Sequence, residues 1–477
     1  MELRYISSGV LFSVVILLAG CIKAPTGELE TLEDFRRTFS VQKKSPPLLP
    51  GNMLTLEQAI GTSLVNNPTN LAAAQAVQTA RYSYYRALSA YLPELNAGYS
   101  LSHTLTRGWD LKNPPVGVMK RNDHLISAGN LQASWLLFDG FARELETIIA
   151  HQEYNKNREI QKDVQRVLKR AVAYAYYDIY LAAEEIKIHQ EDLIFQNDAL
   201  LQEQERFRCG HVSKAPVLNF MILAARAKSN ISTAEYNRKI SLHALSALMG
   251  CDAKELPETF QLQKIPTDKL PQISDENYYL ETAIKHRPDL EAEKIILDTA
   301  FRRRQKVYAE FLPEIRLFSG FSLDSYHAGY GGYRVSSARS HQGGFNYGIE
   351  GKWNLFRGLD SLNKLKEMTA LEKTALWNLN AKFLAIIAEV RDARANCHNA
   401  RYQTALYRDM SQWVREQRDI VYSEYLNGRE TITRLNEAQS ILVEMQRRLI
   451  ASAVEFNKAA AQLAAAIGIE QPFQTRH

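Results

Sequence analysis

The phrase "SWLLFDG" at residues 134–140 returns as "KWNLFRG" at residues 352–358, so a Trp-x-Leu-Phe-x-Gly pattern occurs twice in this chain of 477 residues. The surroundings repeat as well. The offset in numbering is 218 from Trp135 to Trp353, from Gly210 to Gly428 and from Gly250 to Gly468, and it is 220 from Pro93 to Pro313. Landmarks with one shared offset predict two copies of one structural unit, over residues 51–265 and 266–470, followed by a short tail over residues 471–477.

Two long stretches without proline or glycine predict the main helices. They cover residues 141–207 and 359–425, and each has 67 residues, which is roughly 100 Å of helix. Apolar residues recur in the first stretch at Leu168, Val172, Ala175, Ile179, Ala182 and Ile186. In the second they recur at Phe383, Ile387, Val390, Ala393, Cys397 and Ala400. This seven-residue repeat predicts helices that supercoil around one another.

A second helical segment follows each long stretch. These segments run from Gly210 to Gly250 and from Gly428 to Gly468, so the distance in sequence from glycine to glycine is the same in both. Since a glycine between two helical patterns marks a turn, each copy is predicted to contain a helical hairpin. The tips of the hairpins would then lie about 100 Å from the other end of the long helices.

Four segments alternate apolar and polar residues with a period of two. They are "LNAGYSLSHTLT" (95–106), "LQASWLL" (131–137), "EIRLFSGFSLDS" (314–325) and "FNYGIEGKWNLF" (345–356). Such alternation predicts strands with one apolar and one wet face; in the last segment Ile349 lies on the apolar face and Lys352 on the wet one. The segments 107–123 and 326–344, rich in Gly, Pro, Ser and Arg, are predicted turns.

Closure of the predicted strands decides the architecture. Four strands cannot close a barrel, because eight is the practical minimum and open sheet edges are not tolerated in lipid. Two chains would supply eight strands, whose interior is filled by side chains, whereas three would supply twelve and leave room for a passage. A conduit therefore favours three chains.

The N-terminus predicts export. Residues 1–20 resemble a secretory signal peptide, with Arg4 ahead of an apolar run. The ending "LAGC" (18–21) resembles a bacterial lipobox, in which cleavage leaves Cys21 as a lipidated N-terminus; an ordinary signal peptide is the alternative. Ile22 favours the outer membrane by resemblance to lipoprotein sorting. Residues 21–50 are Pro-rich and mixed in charge, which is typical of an extended tether.

Composition argues against several classes of function. The net charge is only +5 with acidic and basic residues interspersed, so no nucleic-acid partner is predicted. Besides Cys21 the chain has Cys209, Cys251 and Cys397, which form either one disulfide and one thiol or, as we prefer, three buried thiols. No metal site, cofactor or enzymatic activity is predicted, because the eleven histidines lack a ligand or catalytic spacing. The sequence "HRPD" (286–289) fits the entry into a helix.

The repeated phrase is predicted to be an elbow between strand and helix. A tryptophan ends the strand, a phenylalanine begins the turn, and a glycine releases the backbone into the long helix. The elbow residues are Trp135, Phe138 and Gly140 in the first copy and Trp353, Phe356 and Gly358 in the second. The tryptophans suit a membrane-interface girdle, and a tryptophan buried at a strand end is the alternative. Pro93 and Pro313 mark the entry from helix to strand.

Taken together, these features resemble the TolC-like outer-membrane efflux proteins. The resemblance rests on the tandem hairpins, the "RPDLEAEKIILDTAFRRRQKVYAEFLPEI" stretch (287–315), the two elbow phrases and the glycine at each tip. It implies a fold that is mainly α with a membrane β part. Tandem-duplicated long helical hairpins would form an α-helical barrel, and four strands per chain would contribute to a twelve-stranded trimeric β-barrel.

The same resemblance implies a function and partners. The homotrimer would be a passive exit duct in the outer membrane of a Gram-negative bacterium, with its helical part in the periplasm. It would dock on a periplasmic adaptor (membrane fusion) protein and an inner-membrane pump of the RND or ABC type. The lipobox is similar to that of the lipoprotein branch, which adds contact with outer-membrane lipid.

By resemblance, the hairpin tips form the periplasmic mouth, its gate and the adaptor contact. The tip positions are Gly210, Pro216, Val217, Leu218, Gly428, Arg434 and Leu435. The family usually has an aspartate where this chain has Pro216 and Arg434, so gating by an acidic constriction is not expected. A ring of Arg434 side chains that contributes to closure is one hypothesis, and an exposed ion pair of Arg434 with Glu430 or Glu437 is the other.

Three functions fit these observations. Efflux of multiple drugs or toxic compounds is the preferred interpretation, since lipidated members look like partners of proton-driven multidrug pumps. A conduit for type I protein secretion is the first alternative. A lipid-anchored periplasmic coiled-coil scaffold without a channel is the second, and it leaves the amphipathic strands unexplained.

Overall fold

The computed structural model describes residues 53–110, 118–251, 261–266, 270–331, 336–470 and 472–473. The predicted signal peptide, Cys21 and most of the tail lie outside these residues. Within them, each half of the chain has two short helices, two strands, a long helix and a return helix, in that order.

The bounds of the elements are as follows. The first half contains β1 (Met53–Leu54), α1 (Leu56–Asn66), α2 (Pro68–Ser89), β2 (Glu94–Asp110), β3 (Val118–Phe138), α3 (Ala142–Arg208) and α4 (Lys214–Leu248). β4 (Gln261–Leu262) follows α4 and still lies within the first half. The second half contains α5 (Glu276–His286), α6 (Pro288–Val307), a 3₁₀ turn (Tyr308–Phe311), β5 (Glu314–Gly331), β6 (Ser336–Lys352), α7 (Asp360–Leu426) and α8 (Ile432–Ile467). β1 and β4 pair in parallel and so join the start of the first half to its end.

Local sequence fixes where several helices begin. At α1 the Thr55 hydroxyl accepts from the Gln58 backbone N–H at 3.3 Å, while the Gln58 side chain accepts from the Thr55 N–H at 3.1 Å. Asn67 caps α2, whose first residue, Pro68, has no N–H to satisfy. Thr431 caps α8 in the same way as Thr55 by accepting from a backbone N–H of the first turn. These caps satisfy amide groups that a helix leaves free at its start.

The two long helices are confirmed. α3 and α7 have 67 residues each, and each starts and ends one residue later than the predicted stretch. The residue before each helix, Phe141 or Leu359, has a φ of 70°, a left-handed conformation that side chains other than glycine rarely adopt. The chain therefore enters both long helices through the same sharp bend.

The helices pack side by side in a layer. α4 packs on α3, α3 on α8 and α8 on α7, while nearer the sheet α2 packs on α3 and α6 lies between α3 and α7. Near the tips all four helices of the two hairpins contribute to one buried cluster. The heptad positions of α3 are buried as predicted from Leu168 to Ala182, whereas the predicted Ile186 is only half-buried. In α7 the buried row contains Val390, Ala393, Cys397 and Ala400, but Ile386 replaces the predicted Phe383 and Ile387 in the core.

The four long strands form one antiparallel sheet in the order β2, β3, β5, β6. The predicted turns at 107–123 and 326–344 are wrong over most of their length, because β2 continues to Asp110, β3 starts at Val118, β5 reaches Gly331 and β6 starts at Ser336. Backbone pairing continues through these Gly-, Ser- and Arg-rich segments, since the ladder is made by N–H and C=O groups that every one of those residues carries.

Two other features bear on the predictions. Among the described residues, none of the helices combines the length and apolarity that spanning a bilayer requires. Cys209, Cys251 and Cys397 are thiols and form no disulfide. Only Cys397 is buried as expected, while Cys209 is exposed at the first hairpin tip. Burial raises the pKa of the Cys397 thiol to about 12, which makes it unreactive at neutral pH.

Candidate functional site: the sheet, its elbows and the hairpin tips

One face of the sheet is apolar across all four strands. The register places Leu131 between Ala97 and Phe321, and Leu317 between Trp135 and Ile349. The apolar side chains of this face that are exposed to solvent are Leu95, Tyr99, Leu101, Leu105, Leu125, Leu131, Trp135, Leu317, Phe321, Leu323, Phe345, Tyr347 and Ile349. A face of this extent without cover from the chain itself has to meet lipid or another apolar surface.

The opposite face is polar. Side chains that share it are Asn96, Gln132, Asn346, Asn130, Asp324, Gln342, Arg316, Glu350 and Lys352. All of them carry an amide or a charge. The two charged cross-strand pairs, Arg316 with Glu350 and Glu314 with Lys352, lie at the end of the sheet nearest the helices. The assignment of Ile349 and Lys352 to opposite faces is confirmed by the register, in which Ile349 pairs with Leu317 and Lys352 with Glu314. This face is suited to water.

Each elbow tryptophan is hydrogen-bonded to the turn that connects a short helix to the first long strand of the same half. Trp135 Nε1 donates to the carbonyl oxygen of Tyr91 at 2.9 Å, and Trp353 Nε1 donates to that of Phe311 at 3.1 Å. Both rings are otherwise exposed, so neither tryptophan is buried at a strand end. The bonds explain why tryptophan occurs at both places, since its indole offers a donor and a large apolar ring.

The two elbows differ in detail. β3 runs through Trp135 to Phe138 with a bulge at Leu136, whereas β6 ends at Lys352, so the prediction that Trp353 ends a strand is wrong. The reason is the ladder itself, because Lys352 pairs with Glu314, the first residue of β5. Phe138 is half-buried, and its counterpart Phe356 is exposed.

The elbow glycines have different surroundings. Gly140 and Gly358 both have a positive φ, 71° and 62°. A Cβ on Gly140 would lie 2.8 Å from the backbone oxygen of Ala309 and 2.9 Å from Cβ of Leu312, because the first elbow packs against the corner between α6 and β5. A Cβ on Gly358 would meet nothing within 4 Å among the described residues.

The electrostatics of the elbows are also unequal. At the first elbow the Asp139 carboxylate accepts from the backbone N–H of Arg143 at 2.9 Å, and the Arg143 guanidinium donates to the Leu136 carbonyl at 2.8 Å. At the second, Glu310 accepts from the Ser361 hydroxyl at 3.0 Å and from the Lys364 ammonium. Burial alone would raise the pKa of the Glu310 carboxyl, but these hydrogen bonds hold that pKa below its usual range. Glu310 therefore stays ionised beside the Lys364 and Arg357 cations.

The predicted tip residues divide into buried and exposed ones. Gly210 and Gly428 are the left-handed turn residues of the two hairpins. Val217 and Leu435 are buried, and Leu435 belongs to a cluster to which both hairpins contribute. Leu218 is exposed and Pro216 is half-buried, so Leu218 is the predicted tip side chain that presents apolar surface.

The predicted charge at the second tip is paired. The Arg434 guanidinium lies 2.8 Å from Glu437 Oε2, three residues along α8, and both side chains are exposed. This contact agrees with the second hypothesis for Arg434, an exposed ion pair with Glu437. A role of Arg434 in closure depends on neighbouring copies of the chain and stays a prediction.

A buried acidic group near the tips was missed by sequence reasoning. Glu203 of α3 accepts a 2.8 Å hydrogen bond from the Tyr425 hydroxyl of α7 and a 2.9 Å bond from Arg206, although its side chain is only 1% exposed. Gln202 of α3 also donates a hydrogen bond to the hydroxyl of Tyr422 of α7. Nothing local could have identified this contact, because 222 residues separate Glu203 from Tyr425.

The prediction for "HRPD" was incomplete. Pro288 is the first residue of α6, as predicted. The buried Arg287 guanidinium, however, also donates two hydrogen bonds to Asp289 at 2.7 and 2.9 Å, one to Glu389 of α7 at 2.6 Å and one to the Ala466 carbonyl of α8 at 3.0 Å. Burial alone would raise the pKa of Asp289, but the Arg287 and Lys382 cations hold it far below its usual range. These contacts join the start of α6 to the middle of α7 and to the end of α8.

The comparisons with known proteins bear on this arrangement directly. The model of the family described as "Outer membrane efflux protein" matches residues 59–251 and 279–469. The chain belongs to the outer membrane efflux protein family. In this efflux protein the first matched segment runs from α1 to the residues after α4, and the second runs from α5 to the residues after α8.

Individual relatives are distant. An uncharacterized protein of Haemophilus influenzae is 24% identical over 318 residues, which are 65% of this efflux protein and 65% of that relative, so the chain spans less than two thirds of its length. A crystal structure of CusC has a TM-score of 0.71 at 20% identity and covers 91% of this chain and 96% of CusC. VceC of Vibrio cholerae has a TM-score of 0.68 at 16% identity and covers 87% of this chain and 96% of VceC. These likenesses show that the efflux protein shares their fold.

Within the described part of this efflux protein, no group of three or more His, Cys, Asp or Glu side chains is placed to hold a metal ion. The candidate functional features are therefore the sheet with its apolar and polar faces, the two elbows and the two hairpin tips.

Proposed function

We propose that this protein is the outer-membrane exit duct of a tripartite efflux system. It would passively conduct substrates from a periplasmic adaptor and an inner-membrane pump to the exterior. The observation that carries the proposal is the sheet of β2, β3, β5 and β6, with one exposed apolar face and one polar face. A sheet of this kind separates lipid from water.

Closure supports a homotrimer. Within the described residues β2 and β6 are the outer strands of the sheet, so each has one strand neighbour. Since open edges are not stable in a bilayer, strands from other copies have to pair with them. Three copies give a twelve-stranded β-barrel whose interior is wide enough for a passage, and the long helices would continue it as an α-helical barrel through the periplasm.

The remaining assignments follow the sequence. We propose that residues 1–20 are a signal peptide, that Cys21 is lipidated and that residues 21–50 tether the chain to the inner leaflet of the outer membrane. The structural repeats at 51–265 and 266–470 would each supply one hairpin and two strands. The elbow tryptophans would lie at the membrane interface, and their exposure outside one hydrogen bond each supports that position.

The hairpin tips would bind the adaptor and form the gate. Exposed Leu218, Met221 and Ile222 support an apolar contact at the first tip. We propose an RND-type or ABC-type pump as the inner-membrane partner and multiple drugs or toxic compounds as cargo, with type I protein secretion as the alternative. A scaffold without a channel is disfavoured, because it gives the exposed apolar sheet face no role.

Reconstitution tests the proposal. The purified protein should run as a heat-modifiable trimer, fractionate with outer membranes and conduct ions in planar lipid bilayers. Crosslinking in cells should recover an adaptor and an inner-membrane transporter, and the identity of that transporter separates drug efflux from protein secretion. A protein that stays monomeric and gives no conductance would rule out the duct.

A further inference from the structure

A cavity lies on the polar side of the sheet, where the strands meet the helices. We call it the elbow cavity, because its lining comes from both elbows and from the corner between α6 and β5. Its volume is about 690 Å³, which is within the range of pockets that hold small molecules. The strand residues that line it are Leu136, Glu314, Arg316 and Lys352. The register pairs Leu136 with Arg316 and Glu314 with Lys352, so all four belong to the polar face.

Basic side chains outnumber acidic ones in the lining of the elbow cavity. The acidic lining residues are Asp139, Glu146, Glu310 and Glu314. The six basic lining residues are Arg303, Lys306, Arg316, Lys352, Arg357 and Lys364. A concave surface with an excess of one sign of charge concentrates ions of the opposite sign. The elbow cavity is therefore suited to a negatively charged ligand.

Two of the basic side chains remain available to such a ligand. The other four form ion pairs, which are Arg303 with Glu153, Lys306 with Glu146, Arg316 with Glu314 and Lys364 with Glu310. Arg357 lies 3.7 Å from Glu310, which is too long for a hydrogen bond. Lys352 faces Glu314 across the strands, but within the described part of the chain it makes no ion pair, since Glu314 is held by Arg316 at 2.6 Å.

Both long helices begin beside the elbow cavity. Ala142, the first residue of α3, lines it, and so do Arg357 and Lys364 on either side of the start of α7. The free N–H groups at the start of a helix attract anions. Asp139 accepts from one such group at α3, whereas Leu359, which precedes α7, supplies no side-chain cap. The start of α7 therefore adds to the attraction that the basic side chains exert on an anion.

The deepest part of the lining is apolar. Ile149, Val307 and Ala309 line the elbow cavity and are only 5%, 3% and 8% exposed. The side chain of Arg357, in contrast, is 44% exposed, and Lys352 is exposed as well. The charges thus lie towards the open side and the apolar groups at the bottom. A ligand that fills the cavity needs an apolar body in addition to its negative charge.

Resting on the proposed duct, we propose that the elbow cavity is a binding site for anionic amphiphiles, small molecules with an apolar body and one negatively charged group. The apolar body packs on Ile149 and Val307, while Lys352 and Arg357 bind the anion. A guanidinium and an ammonium suit a carboxylate, sulfonate or phosphate. Under the proposed function the polar face of the sheet lines the passage, so cargo of this class meets the site on its way out.

Calorimetry of the purified protein in a neutral detergent tests the binding. The probe is naphthalene-2-sulfonate, which joins an apolar double ring to one negative charge, and it should bind saturably. Naphthalene-2-sulfonamide has the same rings without the charge and should bind roughly tenfold more weakly or worse. Higher salt should weaken the binding of the sulfonate more than that of the sulfonamide, because salt screens only charge.

Substitutions locate the site. The Lys352→Gln, Arg357→Gln double variant should weaken the binding of the sulfonate by roughly tenfold or more and change that of the sulfonamide little. The matched control is Lys366→Gln, Lys373→Gln, which removes two exposed positive charges from the same end of α7 outside the lining of the elbow cavity. The control should keep the sulfonate affinity within about twofold of the parent, because exposed charges away from the ligand are screened by salt.

Conductance relates the site to the passage. The sulfonate should reduce the current of parent and control trimers in planar lipid bilayers. The double variant should need roughly tenfold more sulfonate or above for the same reduction. The sulfonamide at the same concentration should reduce the current less than the sulfonate does.

The outcomes separate this proposal from the proposed function. Binding and block that the double variant weakens and the control keeps support the site. Equal affinity in the double variant and the control, or no saturable binding to a parent that conducts, overturns the site and leaves the duct standing. Displacement of the sulfonate by an equal concentration of dihexanoylphosphatidylglycerol would assign the cavity to anionic lipid and overturn its assignment to cargo. A parent that binds the sulfonate as expected but never conducts contradicts the duct and not the anion site.

Discussion

The hydroxyl of Tyr425 donates a 2.8 Å hydrogen bond to Oε1 of Glu203, and this bond joins α7 of the second hairpin to α3 of the first. Both side chains are buried beside an apolar cluster near the tips. Burial and the adjacent carboxylate raise the pKa of Tyr425, so its hydroxyl keeps the proton that it donates. The bond therefore holds the two hairpins together close to the end of the molecule where we place the mouth.

Tyr425→Phe should loosen this end of the molecule. The variant removes the donor and leaves a buried carboxylate with one partner fewer, which costs about 1–3 kcal/mol. Amide hydrogen exchange near Glu203 and Tyr425 should accelerate, while the sheet end of the same helices stays protected. The matched control is Tyr422→Phe, which removes a longer 3.3 Å contact with Gln202. Equal acceleration in both variants would show that the Tyr425–Glu203 bond does not stabilise this end of the molecule more than the Tyr422–Gln202 contact does.

The two sides of the sheet should respond differently to substitution. Ile349→Lys places a charge on the apolar face and should cost about 2–4 kcal/mol if the residue lies near the bilayer midplane. Lys352→Ile changes the polar face at the strand end and should leave assembly intact. The yield of trimer in outer-membrane fractions measures both. If the two variants assemble equally well, our assignment of the lipid-facing side is wrong.

Alanine substitutions at the two elbow glycines should differ in how much they destabilise the chain. An alanine at either position has to adopt a left-handed conformation at a cost of about 1–2 kcal/mol. Gly140→Ala also places a Cβ 2.8 Å from the backbone of Ala309, so its thermal unfolding, followed by circular dichroism, should occur at the lower temperature. Gly358→Ala should retain more of the chain's stability, because its Cβ meets none of the described residues within 4 Å. The reverse order would contradict the packing of the first elbow.

The buried ions around Asp289 should make stability depend on pH. Asp289→Ala leaves the Arg287 guanidinium partly unpaired and should cost about 3–5 kcal/mol at neutral pH. Because the folded-state pKa of Asp289 is lowered, its contribution is present above the unfolded pKa of about 4 and is lost as the pH falls through the lower folded value. The difference in melting temperature between parent and variant should therefore shrink in acid.

The exposed pair at the second tip provides the control for that experiment. Glu437→Gln breaks the contact with Arg434, and since both side chains are exposed the change should stay within about 1 kcal/mol at every pH. A pH dependence as large as that of the Asp289 variant would show that the buried position of Asp289 is not the cause.

Arg434 itself is tested by conductance. If Arg434 contributes to closure of the mouth, Arg434→Ala trimers should open more often in planar bilayers than the parent. Glu437→Gln frees Arg434 from its partner and should not increase opening in the same way. Unchanged conductance and open probability of Arg434→Ala would remove the hypothesis.

Local patterns predicted most of the fold. The absence of proline and glycine gave the extent of α3 and α7 to within one residue, because an uninterrupted helix needs only its own backbone bonds. Period-two alternation identified the four strands and the sides of Ile349 and Lys352. The ends of the strands were predicted less well, since Gly- and Ser-rich segments pair as soon as a partner strand lies beside them, and β6 stops where β5 begins.

Contacts between distant parts of the chain could not be predicted in this way. Glu203 with Tyr425, Arg287 with Glu389, and Gly140 with Ala309 are each more than a hundred residues apart. No local signal marks a buried carboxylate or a crowded glycine, because burial depends on which helices pack together. The sequence by itself determined the repeat, the helices, the strands and their faces, since these follow from residue order and backbone geometry. Only the tertiary structure decided which equivalent surfaces are covered within one chain and which are left open, because that depends on the order of the helices across the layer.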